Sequence, residues 1–238
     1  MSTAGNTLDH RTRIKICGLT REQDVDAAVA AGADAVGFVL YERSPRHISA
    51  QRAAALAARL PPFVSPVLLF VNADPATVQQ ACELIPAATL QFHGDETPAQ
   101  CAAAAGARPY VRAARVPLDA AAPFDLVKFA SDYSQARAIL LDALVEGYGG
   151  GGKAFNWSRL PPSVNCHLVL SGGLTPANVT DGIVQVRPRC TTLAVDVSSG
   201  VEAAKGIKDA GLIHQFVAAV RAADVLLARS PHALLSTT

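Results

Sequence analysis

At 238 residues, half of them hydrophobic and 17% charged, the chain has material for one large core, which excludes a disordered protein. A formal net charge of +1 without a Lys/Arg block excludes an electrostatic footprint for nucleic acid or a membrane surface. Five cysteines, at 17, 82, 101, 166 and 190, form an odd set with no C-x-x-C pair, as expected in a reducing compartment without a disulfide framework or a zinc site.

The polar start MSTAGNTLDHRTR lacks the apolar stretch of a signal peptide. The uncharged run Leu60–Ala73 is broken by Pro61, Pro62 and Pro66 and is too short to span a bilayer, so a soluble, cytoplasmic protein is expected. Residues 1–12 read as a flexible N-terminal extension and 229–238 as a flexible tail, around a body at 13–228. Within it, short apolar runs predict strands at 13–17, 35–40, 66–71, 89–93, 109–114, 138–142, 167–171 and 192–197. Helical stretches alternate with them, at 21–31, 50–60, 75–84, 98–105 and 176–186. Pro75, Pro98 and Pro176 each follow a capping residue (Asp74, Thr97, Thr175), a helix-start signature. Helix 21–31 aligns Val25, Ala28 and Val29, and a final helix aligns Leu212, Ile213, Phe216, Val217 and Val220. Phe124–Ala130 fits either helix or strand and is read as an irregular fifth helix. Strands and helices in strict alternation predict an α/β fold, a single (β/α)8 TIM barrel, rather than an open doubly wound sheet, because they fill the chain and leave no second domain.

Chemistry in such a barrel sits at the C-terminal ends of the strands, so the residues there matter most. Cys17 closes the first strand before a glycine, and fits equally a reactive thiol or a small buried hydrophobe. Asp142 ends the otherwise apolar sixth strand; it must be desolvated, hydrogen-bonded or functional, and capping the following loop is an even alternative. The glycine run 147–152, with Lys153 after it, reads as a lid that would exclude water, against a plain surface loop. Arg46, after the second strand, offers a planar fork for a carboxylate, although a lone loop arginine is usually a solvated charge. His93, after the fourth strand, reads as a hydrogen-bonded structural histidine, and the remaining histidines show no ligand spacing, so no metal is assigned. The loops Ser171–Asn178 and Asp196–Glu202 follow adjacent strands, and their glycines would let backbone N–H groups converge on a phosphate. The stretch Lys205–Asp209 is placed as the short extra helix of such a site.

The segments KICGLT, GADAVGFVLYERSPRHIS, QFHGDE, LLDA…GYGGGGKAFNW, LSGGLTPANV, AVDVSSGVE and GIKD resemble the phosphoribosylanthranilate isomerase family of tryptophan biosynthesis. The likeness runs in order from about Arg13 to Asp209. It implies an Amadori rearrangement of N-(5′-phosphoribosyl)anthranilate to 1-(o-carboxyphenylamino)-1-deoxyribulose 5-phosphate, an aldose–ketose isomerisation without metal or cofactor. By the same resemblance Cys17 is the general base, Asp142 the general acid and Arg46 the ligand of the anthranilate carboxylate. Gly172, Gly173, Ser199 and Gly200 match phosphate-binding positions, with Asp196 and His93 in support. Asp142 would be kept protonated by its apolar strand end, and the helix start after Thr20 would favour a thiolate at Cys17. Partners are then confined to a phosphorylated small molecule, with the protein a monomer or homodimer. The chain departs from the family pattern at Phe92, at Ala203–Gly206 and at Pro188–Thr192, away from the acid, the base and the arginine.

Three other readings compete. An indole-glycerol-phosphate synthase would need a lysine acid at a strand end, for which only Lys15 is placed, and a dual-substrate isomerase would use paired carboxylates where this chain has a cysteine. A non-catalytic phosphosugar-binding barrel would have no use for Cys17 and Asp142 beside its phosphate loops.

Overall fold

The computed structural model describes residues 11–119, 124–144 and 154–229. The glycine run 147–152 lies outside the described residues, as do 1–10 and 230–238 of the two predicted tails. Eight parallel strands close into a barrel in sequential order: β1 (Arg13–Cys17), β2 (Ala35–Val39), β3 (Ser65–Phe70), β4 (Thr89–Phe92), β5 (Tyr110–Pro117), β6 (Ala138–Leu144), β7 (His167–Leu170) and β8 (Thr192–Val197), with β8 pairing back onto β1. Each agrees with its predicted run to within a few residues.

Alternation along the strands sorts side chains into two layers. In β1, Ile14 and Ile16 face the surrounding helices while Lys15 and Cys17 face the barrel axis. The outward set, with Val36, Phe38, Leu68, Leu90, Leu141, Leu170 and Val195, joins the helices in one large core. The axis is filled by small clusters, Ala113, Leu140 and Val169 in one and Cys17, Val39, Leu69 and Val71 in the other. Because that narrow interior takes few side chains, the inward residues at the C-terminal strand ends are left facing the mouth of the barrel.

The helices are α1 (Glu22–Ala31), α2 (Ala50–Ala57), α3 (Pro75–Leu84), α4 (Pro98–Ala105), α5 (Leu126–Asp132), α6 (Val179–Val186) and α7 (Ala210–Arg229). Asp74 caps α3 by accepting from Thr77 N, and Thr97 with Gln100 forms a reciprocal box at α4, each ahead of a proline. The short α5 starts at Asp125, which caps Lys128 N, so the segment open to two readings is a helix. Pro176 does not open α6. Asn178 accepts from Thr175 N and donates to the Gly173 carbonyl, which folds 173–178 into a turn and delays the helix to Val179.

The extra helix expected at Lys205–Asp209 is also absent. Residues 202–204 (β9) and 207–208 (β10) pair as an antiparallel hairpin turning at Gly206, and the short helical turn lies earlier, at Ser199–Val201. Burial of Lys208 against Glu202 holds the hairpin down. α7 is long and apolar enough to cross a membrane, but its stripe Ile213, Phe216, Val217, Val220 and Ala223 is buried on the barrel.

Candidate active site

Six strand ends and their loops bring three sets of hydrogen-bonded polar groups, mostly buried, to one end of the barrel. Cys17 is the last residue of β1 and only 4% exposed. Gly18 follows in left-handed backbone at φ 76°, and a Cβ there would lie 2.5 Å from Arg46 Cδ, so only glycine lets the Arg46 side chain cross the end of β1. Arg46 is therefore buried rather than solvated, and its Nε and Nη2 donate to the two carboxylate oxygens of Glu202 at 2.7 and 2.8 Å. Lys208 Nζ donates to the same carboxylate at 2.8 Å and to the Ser198 carbonyl at 2.9 Å. Burial works to raise Glu202, but the two cations overrule it and hold the carboxyl below its usual range. Burial lowers Lys208, with Glu202 opposing.

On the barrel axis Lys15 Nζ donates to Asp196 Oδ1 at 2.8 Å, and Ser171 Oγ donates to Oδ2 at 3.1 Å. Asp196 thus ties β1, β7 and β8 together, in keeping with an orienting part. Burial pushes the Cys17 thiol up and Asp196 adds to it; Lys15 is the largest influence pulling it down, and the balance leaves the thiol above its usual value. The charge nearest Cys17 in sequence is therefore a lysine on its own strand. The helix start beyond Thr20 carries Glu22 and Asp24 in its first turn, which offsets the positive end of the helix.

Asp142 is buried at the end of β6. Its Oδ2 lies 2.9 Å from His93 Nε2, and its Oδ1 accepts from Ala143 N at 2.9 Å. His93 Nδ1 lies in turn 2.9 Å from Gln91 Nε2, so β4 supplies two buried groups stacked behind one carboxyl. The imidazole either donates from Nε2 to a carboxylate or accepts the proton of a carboxylic acid, and Gln91 satisfies Nδ1 in both cases by turning its amide. His93 thereby forms a hydrogen-bonded pair with the predicted acid.

Gly172 and Gly173 follow β7 in left-handed backbone, at φ 76° and 65°. Gly172 packs on Asp142, where a Cβ would meet Oδ1 at 2.8 Å. A Cβ at Gly200 would stand 1.9 Å from the Leu174 carbonyl oxygen, so the loops after β7 and β8 touch backbone to backbone, with Ser199 opening the turn between them. The predicted residues Cys17, Arg46, His93, Asp142, Gly172, Gly173, Asp196, Ser199 and Gly200 all lie at this end of the barrel. Sequence reasoning missed Glu202, Lys208 and Gln91. Lysine and glutamate two strands of a hairpin apart carry no spacing rule, and Gln91 is marked only by lying two residues before His93 in an apolar strand.

The matching family model, N-(5′-phosphoribosyl)anthranilate isomerase, covers residues 14–219. The chain belongs to this family. Among N-(5′-phosphoribosyl)anthranilate isomerases, that of Leptothrix cholodnii is 66% identical over 214 residues, which cover 90% of this chain and 93% of the relative. That of Methylibium petroleiphilum is 64% identical over 220 residues, covering 92% and 99%. A crystal structure of the phosphoribosylanthranilate isomerase of Thermotoga maritima superposes with a TM-score of 0.78 at 39% identity, covering 89% of this chain and 99% of that one. A further isomerase structure, in complex with reduced 1-(o-carboxyphenylamino)-1-deoxyribulose 5-phosphate, gives a TM-score of 0.72 at 35% identity, covering 89% and 99%.

Proposed function

We propose that this chain catalyses the Amadori rearrangement of N-(5′-phosphoribosyl)anthranilate to 1-(o-carboxyphenylamino)-1-deoxyribulose 5-phosphate, a step of tryptophan biosynthesis. The observation that carries the reading is that Cys17, the last residue of β1, and Asp142, near the C-terminal end of β6, lie on either side of the glycine loops after β7 and β8 in one barrel. Those loops take the phosphate, with Gly172, Gly173, Ser199 and Gly200 presenting backbone N–H groups. Arg46, aimed by Glu202, retains Nη1 for the anthranilate carboxylate.

The chemistry runs in two proton transfers. A proton from the Asp142–His93 pair passes to the ribose ring oxygen; the C1′–O bond breaks as the anthranilate nitrogen donates its lone pair, leaving an iminium. The cation acidifies the C2′ proton, which the Cys17 thiolate removes, and the electron pair moves to give an enolamine that tautomerises to the ketone. Gln91 and His93 hold the acid; Lys15 and Asp196 border the base.

The test follows loss of fluorescence of freshly generated phosphoribosylanthranilate with wild type, Cys17→Ser and Asp142→Asn. Rapid loss in wild type and a fall of at least ~10³-fold in both folded variants is expected, the scale for groups that act as acid or base in the transition state. No acceleration by folded wild type would leave a phosphosugar-binding barrel as the reading.

A cytoplasmic setting is part of the proposal, since Cys17, Cys82, Cys101, Cys166 and Cys190 are all unpaired. For assembly the choice stands between monomer and homodimer. One T. maritima structure is described as monomers of a dimeric enzyme, and here Phe63, 99% exposed on left-handed backbone before β3, is a side chain that a second copy would cover. Sedimentation velocity decides between the two.

A further inference from the structure

The proposed base is a thiol, and burial alone would make it a poor one. The charged groups set around Cys17 are Lys15 on its own strand, Asp196 from β8, Arg46 from the loop after β2 and Lys208 from the hairpin after β8, with Glu202 paired to the last two, while β2 and β3 contribute apolar Val39 and Leu69. Three cations thus face two carboxylates in a buried cluster. Arg46 and Lys208 share Glu202, and Lys15 is paired with Asp196, which leaves one positive charge for which the cluster holds no anion. A thiolate at Cys17 would balance it.

Lys15 is the cation placed to meet that thiolate. Residues 15 and 17 point to the same side of β1, and both side-chain ends converge over Gly37 of the neighbouring strand. A Cβ at Gly37 would lie 2.7 Å from Cys17 Sγ and 3.0 Å from Lys15 Nζ. The sulfur and the ammonium nitrogen therefore lie within the roughly 6 Å over which an opposite charge shifts an ionisation. The absence of a side chain at Gly37 makes the room that they share. Asp196 accepts from Lys15 at 2.8 Å and from Ser171, so the ammonium is held in place.

We propose that Lys15, anchored by Asp196, is the positioning residue that keeps Cys17 available as a thiolate. The inference rests on the reading of Cys17 as the base. Burial opposes the charged thiolate, and Lys15 is the chief influence against that penalty. Removing the ammonium must therefore move the thiol's titration to higher pH and lower the thiolate fraction near neutrality.

The experiment titrates the ultraviolet thiolate absorbance of each protein, taken as the difference from the same protein carrying Cys17→Ser, and sets it beside the pH profile of kcat/KM. Lys15→Met is expected to move both curves to higher pH by about one unit or more, roughly a tenfold loss at neutral pH, with kcat falling more than KM rises. Lys15→Arg, which retains the cation and the pair with Asp196, should restore most of the wild-type curve. Because Lys15→Met leaves Asp196 buried without its partner, the double variant Lys15→Met/Asp196→Asn is set against Asp196→Asn alone, so that loss of the aspartate's own upward influence cancels and the difference reads the ammonium. A folded double variant whose Cys17 titrates as in Asp196→Asn would overturn the inference. The absorbance does not depend on catalysis, so the two assignments separate. An unshifted titration with Cys17→Ser inactive removes Lys15 alone. An active Cys17→Ser removes the base.

Discussion

Glu202 accepts from Nε and Nη2 of Arg46 and from the ammonium of Lys208, so one carboxylate sets where the guanidinium points. Glu202→Gln would leave two buried cations facing a neutral amide. Breaking a buried pair of this kind costs about 3–5 kcal/mol, and denaturant melts should show a loss of that order. The fluorescence assay should show KM raised about tenfold or more with kcat less affected, because the arginine loses its aim rather than the chemistry its proton; an unaltered KM would return Arg46 to a structural charge. Acid should act in the same direction. Glu202 is held below the usual carboxylate range, so its contribution is fully present above the unfolded value of about 4.3 and is lost as pH falls through the lower folded value. Thermal melts from pH 6 downward should therefore show a stability loss below about pH 4 that is smaller in Glu202→Gln.

Among the elements, the loops after β7 and β8 depend on each other. Gly200 lies against the Leu174 carbonyl, where a Cβ would approach to 1.9 Å, a separation that no side-chain adjustment can relieve. Gly200→Ala must push the two loops apart. The expected result is a KM raised by about tenfold or more with the barrel still folded, measured by inorganic phosphate inhibition alongside turnover; unchanged inhibition would take the phosphate elsewhere. The loop after β4 is secured differently. Arg112 donates to the Phe92 and Gly94 carbonyls and pairs with Glu96 at 3.1 Å, while Glu96 accepts from the Asn72 and Gly94 amides. The guanidinium also lies 4.9 Å from the Tyr133 ring centre. This buried frame fixes the backbone on which His93 reaches Asp142, and gives the short α5, which carries Phe129 and precedes Tyr133, a part in positioning the acid.

Across the whole molecule the two ends of the barrel divide the work. The proposed active residues gather at the C-terminal ends of the strands, while at the opposite end Thr12, Arg187 and Arg221 close on Asp224 of α7. That cluster ties the start of the chain to its last helix, and both Thr12 and Arg187 are buried. Asp224→Ala should lower stability by about 3 kcal/mol, roughly 6–12 °C in Tm for a chain of this size, with kcat unchanged at a temperature where the variant is folded. A loss of kcat without a loss of Tm would contradict the separation of stability and chemistry between the two ends.

What could be read from the sequence is whatever repeats or neighbours along the chain. Short apolar runs mark all the barrel strands, Asp74-Pro75 and Thr97-Pro98 mark helix starts, and the string of motifs from Lys15 to Asp209 marks the family. Local signals failed where a side chain hydrogen-bonds in place of continuing the expected element, as at Asn178 ahead of α6, or where a distant partner decides, as in the hairpin carrying Lys208. The pairs Arg46–Glu202, Asp142–His93 and Lys15–Asp196 join residues far apart in sequence. Charge and hydrogen bonding act through distance and burial, so closure of the barrel alone determined which groups meet and which influences Cys17 feels.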